Sequence, residues 1–109
     1  VFTVERIEEL LKLARRRFHK LKLNNIYTRY ADGHLGWPSQ APFDGIVVTA
    51  AATRLPLELV EQLRVGGVLV APVEKAGQQR LLAVRRTEEG HEETDLGGVI
   101  FVPLLAGLS

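Results

Sequence analysis

The chain has no cysteine, which excludes disulfide staples and thiolate–metal sites. A reducing compartment fits that absence, and a cytoplasmic location is the expectation. Methionine is absent too, so Val1 is no initiator. Val1-Phe2-Thr3-Val4 opens as if in the middle of a strand, and the expectation is a piece of something longer. No apolar run is long enough to cross a bilayer, and no signal-peptide pattern stands at the N-terminus, so no membrane partner is expected. Internal repeats and low-complexity linkers are also missing. Other absences narrow the chemistry. His19, His34 and His91 are scattered without ligand spacing, so no metal is expected. Ser39 and Ser109 lack neighbours of the triad type. No phosphate-cradling glycine loop and no catalytic acid–base pair can be discerned, and no catalytic side chain is expected.

What is present suits one folded domain with one core: 109 residues, 46% apolar and 25% charged. The net charge of +1 is unevenly spread. Arg6, Lys12, Arg15, Arg16, Arg17, Lys20, Lys22 and Arg29 crowd the first 30 residues. Without interleaved aromatic stacking platforms, that basic stretch reads as a solvated helix face, and no nucleic-acid partner is expected.

The hydrophobic pattern predicts strands at Val1–Glu5, Ile26–Ala31, Phe43–Thr49, Val68–Val73, Arg80–Arg86 and Val99–Leu105, with the first strand buried. A helix follows the first strand, its apolar stripe made of Ile7, Leu10, Leu11, Leu13, Ala14 and Phe18. Asn24-Asn25 marks the turn out of it. A second, short helix spans Leu55–Leu63, with Gly66-Gly67 as its C-cap. Ile46-Val47-Val48 is continuously apolar, as in a parallel strand covered on both faces. Thr87–Asp95 reads as a polar connection. Two strand–helix–strand units imply parallel crossovers in an α/β sheet, and the helix-free C-terminal strands imply an antiparallel edge.

Ligands of open α/β sheets bind beyond the carboxyl ends of the parallel strands. Three strand ends carry polar or small residues: Glu5, Asp32-Gly33, and Thr49 with the alanines after it. A carboxylate at the first position can accept ribose hydroxyls, or can serve the start of its own helix. Asp32 can accept an adenine amino group, or can simply form a turn. Together the three ends favour a nucleoside-like ligand.

The blocks "VFTVERIEELLKLARRRFHKLKLNNI", "ADGHLGWPSQAPFDGIVVTAAA", "LVEQLRVGGVLVAPV" and "VIFVPLLAG" resemble the second half of the protein-L-isoaspartate O-methyltransferases. The most specific run is Asp32-Gly33, Gly36-Trp37, Pro42-Phe43-Asp44, the alanines, Pro56, Gln62-Leu63 and Gly66-Gly67. The resemblance implies a partial Rossmann-like, S-adenosylmethionine-dependent methyltransferase fold. Residues 1–109 would be the C-terminal portion of a single methyltransferase domain. It implies methyl transfer from S-adenosylmethionine to the α-carboxyl of L-isoaspartyl residues in damaged proteins, leaving S-adenosylhomocysteine. By the same resemblance Glu5, with Arg6 beside it, holds the ribose, Asp32 and Gly33 lie beside the adenine, and Thr49 and Ala50 face the methionine portion. Val102, Pro103 and Leu104 flank the isoaspartyl peptide. The family's glycine-rich loop, first strand and N-terminal helices match nothing here and would lie upstream of Val1. That first strand is central in the family, so two inner sheet edges are expected to await it, and the 109 residues alone are expected to be inactive. The residues leave open a methyltransferase with another acceptor, or a non-catalytic binding module of the same fold.

Overall fold

The computed structural model describes residues 1–23 and 27–108; the expected Asn24-Asn25 turn lies outside them. The fold comprises two compact units, Val1–Trp37 with Leu105–Ser109, and Pro38–Leu104.

In the first unit, β1 (Phe2–Glu5) leads into α1 (Glu8–Lys20), which returns to β2 (Tyr27–Tyr30). β1 and β2 pair in parallel, with Glu5 opposite Tyr30. Glu8 and Glu9 in the first turn of α1 and Arg17, His19 and Lys20 in the last complement the helix dipole. Lys12 pairs with Glu8 one turn away. The expected apolar stripe is only partly covered. Leu11 is buried, Ile7, Ala14 and Phe18 are half-buried, and Leu10 and Leu13 are exposed. β1 is half-buried to exposed rather than buried, because β2 is its one strand neighbour among the described residues. Phe2 stacks on Tyr27, with centroids 5.1 Å apart, and meets Trp37 edge-on at 5.3 Å.

The second unit is a four-stranded sheet ordered β3-β4-β5-β6, formed by Phe43–Val47, Leu63–Lys75, Gln78–Thr87 and Gly90–Gly98. β3 and β4 are parallel, joined through the short helix α2 (Leu57–Val60). The β4-β5-β6 ribbon is the antiparallel edge the sequence implies. Leu59, Val60, Leu63, Leu69, Ala71, Val73, Leu82 and Val84 form the core. Ile46 and Val48 pack on that core while Val47 is exposed, so β3 is covered on one face rather than two.

Three further expectations are corrected. First, Gly66-Gly67 is no helix cap but part of β4. From the Phe43–Leu63 pair to the Gly45–Val68 pair the chain takes five steps along β4 against two along β3. Gly66 (φ +87°) turns that bulge, and Gly67 presses against the carbonyls of Phe43, Asp44 and Arg64. The end of α2 is held instead by Arg86 of β5, whose Nη1 donates to Glu61 O and Leu63 O, both at 2.6 Å.

Second, most of the polar connection is a strand, β6. It lies on the sheet edge with almost every side chain exposed, so no alternating apolar pattern marks it. Cross-strand pairs order it: Arg85 with Glu92 (2.9 Å), Lys75 with Glu93 (3.4 Å), and Arg80 forked onto Asp95 through Nε and Nη2 (3.0 Å each). Hydrogen bonding from Arg80 draws the Asp95 carboxyl below its ordinary range. Third, Val99–Leu105 is not a strand; it makes a single bridge, Pro103 to Ala51.

Candidate functional site

In the first unit the parallel pairing brings the ends of β1 and β2 to one side. Ala31 N donates to Glu5 O at 3.0 Å, so Asp32 and Gly33 emerge next to Glu5 and Arg6. The Glu5 carboxylate accepts the Ile7 N–H through Oε1 at 3.0 Å, a bond just ahead of α1, whose N-cap, Ile7, has no side-chain cap. Its Oε2 has no partner among the described residues.

Asp32 opens the 3₁₀ turn Gly33–Leu35. Oδ1 accepts His34 N at 2.8 Å and lies 3.1 Å from His34 Nδ1. Oδ2 accepts Gly107 N at 3.0 Å. These bonds, the Gly107 amide first, outweigh burial and lower the Asp32 pKa. Asp32 is therefore an ionised acceptor. Arg6 Nε donates to Gly107 O at 3.2 Å, so one residue, Gly107, is gripped through its N–H by Asp32 and through its C=O by Arg6. That grip is invisible in the sequence, since a hundred residues separate Arg6 from Gly107.

In the second unit, Thr49 and Ala50 follow β3. Val48 N donates to Val70 O (2.9 Å) and Ala52 N to Pro72 O (3.0 Å). Four residues of chain thus run beside two of β4, and Thr49-Ala50-Ala51 arches out of the ladder. Thr49 is exposed at the crest. Small side chains suit an arch whose backbone must approach another group.

That group is the C-terminal segment. Ala51 N donates to Val102 O at 2.6 Å, and Leu104 N donates to Ala51 O at 2.7 Å. Pro103 lies between them as the bridge partner, a position that asks for no N–H. Val102, Pro103 and Leu104 are therefore stitched to the residue next to Ala50. Gly107 and Gln79, which holds the same segment from its other side, are additions to the residues singled out above; Ala51 belongs to the alanine run already marked there.

Within the first unit, the carboxylates of Glu5 and Asp32 are hydrogen-bond acceptors of the kind that a nucleoside's hydroxyl and amino groups can use. Carboxylate acceptors stand at the carboxyl end of one parallel pair, and an arch without large side chains stands at the end of the other. No cluster of metal-ligating side chains occurs among the described residues. No helix among them is long and apolar enough to cross a membrane.

Comparison with known proteins gives the family. Residues 1–109 match the family model described as protein-L-isoaspartate(D-aspartate) O-methyltransferase. A protein-L-isoaspartate O-methyltransferase of Halorhodospira halophila is 50% identical over 98% of the chain, and one of Hahella chejuensis is 51% identical over 99%. The chain spans 49% and 51% of those two relatives, about half their length. A solved structure from Plasmodium falciparum, assigned to the same activity and in complex with S-adenosyl-L-homocysteine, superposes with a TM-score of 0.83. It is 26% identical, with 96% of this chain and 52% of that one covered. A further solved protein-L-isoaspartate O-methyltransferase, 22% identical, shares the fold at a TM-score of 0.90 over the whole chain and 35% of its own length. The family model matches the whole of residues 1–109, and the chain belongs to the protein-L-isoaspartate(D-aspartate) O-methyltransferase family.

Proposed function

We propose that the chain is the C-terminal portion of a single methyltransferase domain, acting in the cytoplasm on L-isoaspartyl residues of damaged proteins. The observation that carries this is the family match over residues 1–109. The shared carboxyl end of Glu5 and Asp32 supports the cofactor reading. S-adenosylmethionine, when bound, supplies a methyl group already activated by its sulfonium, and an isoaspartyl carboxylate is already a nucleophile. The protein is asked for positioning and exclusion of water rather than proton transfer.

Glu5 offers Oε2 to the ribose hydroxyls, with Arg6 beside it. Asp32, kept ionised, accepts the adenine amino group, and Gly33 leaves the backbone open to the base. Thr49 and Ala50 face the methionine portion from the arch. Val102, Pro103 and Leu104 border the acceptor peptide. Upstream residues would supply the glycine-rich loop and the family's first strand; among the described residues β1 and β3 each have a strand on one side alone.

The test is methyl transfer to an isoaspartyl peptide from radiolabelled S-adenosylmethionine. The complete gene product should form labelled, base-labile ester, and the 109 residues alone should stay at blank. No ester above blank from the complete product would refute the reading.

A further inference from the structure

We infer that Gln79 is a positioning residue for the acceptor-side segment, fixing residues 101–104 in register with Ala51. The inference rests on the reading above that Val102–Leu104 border the isoaspartyl peptide. Beyond Gly98 the chain leaves β6 and forms no further strand among the described residues. Its backbone groups still need partners. On one side these come from Ala51, at Val102 O and Leu104 N. On the other they come from Gln79.

The carboxamide of Gln79 uses both of its ends on one residue. Nε2 donates to Phe101 O at 3.1 Å, and Phe101 N donates to Oε1 at 2.6 Å. The Gln79 backbone O accepts Val99 N at 3.0 Å. A side-chain amide thus supplies the donor–acceptor pair that a neighbouring strand would otherwise present. Phe101 adjoins Val102, so the two anchors fall on successive residues. A shift of one residue at Phe101 would carry Val102 O and Leu104 N away from Ala51. The groups are partly exposed, so water can replace the lost bonds. Removing the carboxamide should therefore change geometry more than fold stability.

The experiment is steady-state kinetics on the complete gene product. The variants are Gln79→Ala, which loses both bonds, and Gln79→Glu, which keeps the acceptor for Phe101 N but sets a carboxylate against Phe101 O. Gln78→Ala is the control. For both Gln79 variants the KM for the isoaspartyl peptide should rise on the order of tenfold, as expected for one or two hydrogen bonds. The KM for S-adenosylmethionine should stay within about twofold, and Gln78→Ala should match wild type. Hydrogen exchange at the Phe101 and Leu104 amides should accelerate in Gln79→Ala, a readout that needs no turnover. An unchanged peptide KM, an equal rise in both KM values, or unaltered exchange would each overturn the inference. A wild-type product that methylates no isoaspartyl peptide would instead overturn the reading on which it rests.

Discussion

Replacing Gly67 with alanine should destabilise the fold although its backbone needs no glycine-specific dihedral. A Cβ built on Gly67 would lie 2.9 Å from Asp44 O, 3.0 Å from Arg64 O and 3.1 Å from Phe43 O. All three are main-chain atoms, so no side chain can swing aside. Relief requires the parallel strands β3 and β4 to move apart locally. Overpacking of this kind costs about 1–3 kcal/mol, and three simultaneous contacts place Gly67→Ala in the upper half of that range. Loss of unfolded-chain entropy returns about 0.5 kcal/mol, leaving a net cost near 2 kcal/mol. Gly77 provides the contrast: its φ is +78°, but nothing lies within 4 Å of a built Cβ. Gly77→Ala should therefore cost only the left-handed penalty, about 1 kcal/mol. Urea denaturation measures both as midpoint shifts at unchanged slope. If Gly67→Ala costs no more than Gly77→Ala, the carbonyl crowding in the bulge does not govern stability, and the reasoning fails.

Asp32 should impose an acid limit. Its pKa is lowered in the folded chain, so its contribution is full above the ordinary carboxylate range and fades as pH falls through the folded value. The stability gap between wild type and Asp32→Asn should accordingly close as the pH falls below about 4, as pH-dependent thermal melts would show. At the β4–β5 hairpin, Ala76 (φ +52°) precedes Gly77 with a left-handed backbone. Ala76→Asn should stabilise by about 0.5–1 kcal/mol in the same urea titration, because asparagine tolerates that conformation and suits the turn. A loss of stability would count against the turn geometry.

The parallel crossovers were legible because periodicity and strand-end chemistry are local. Ile7, Leu11, Ala14 and Phe18 mark a helix between two strands, and Glu5 and Asp32 end those strands. The antiparallel edge was legible from missing helices. What failed had non-local causes. Gly66-Gly67 obeys the close approach of β3, which no window around the two glycines reveals. β6 is written in charges that pair across strands, where a reading by hydrophobic pattern finds only a polar stretch. Residues 99–105 carry strand-like side chains, yet only Pro103 bridges. Around the candidate site, the acids and small residues could be singled out by type. The grip of Arg6 and Asp32 on Gly107, and of Gln79 on Phe101, depends on contacts between distant positions.

The hold of Arg86 on Glu61 O and Leu63 O ties the crossover between β3 and β4 to the β4–β5 hairpin. A helix the length of α2 has no autonomous stability, since nucleation consumes more entropy than a single turn returns. Its supports are tertiary: Leu59 and Val60 in the core, and Arg86 on the carbonyls at its end. If the crossover closes after the hairpin, substitutions along β5 should slow folding while those within α2 mainly hasten unfolding, which chevron kinetics on the two sets of variants would check.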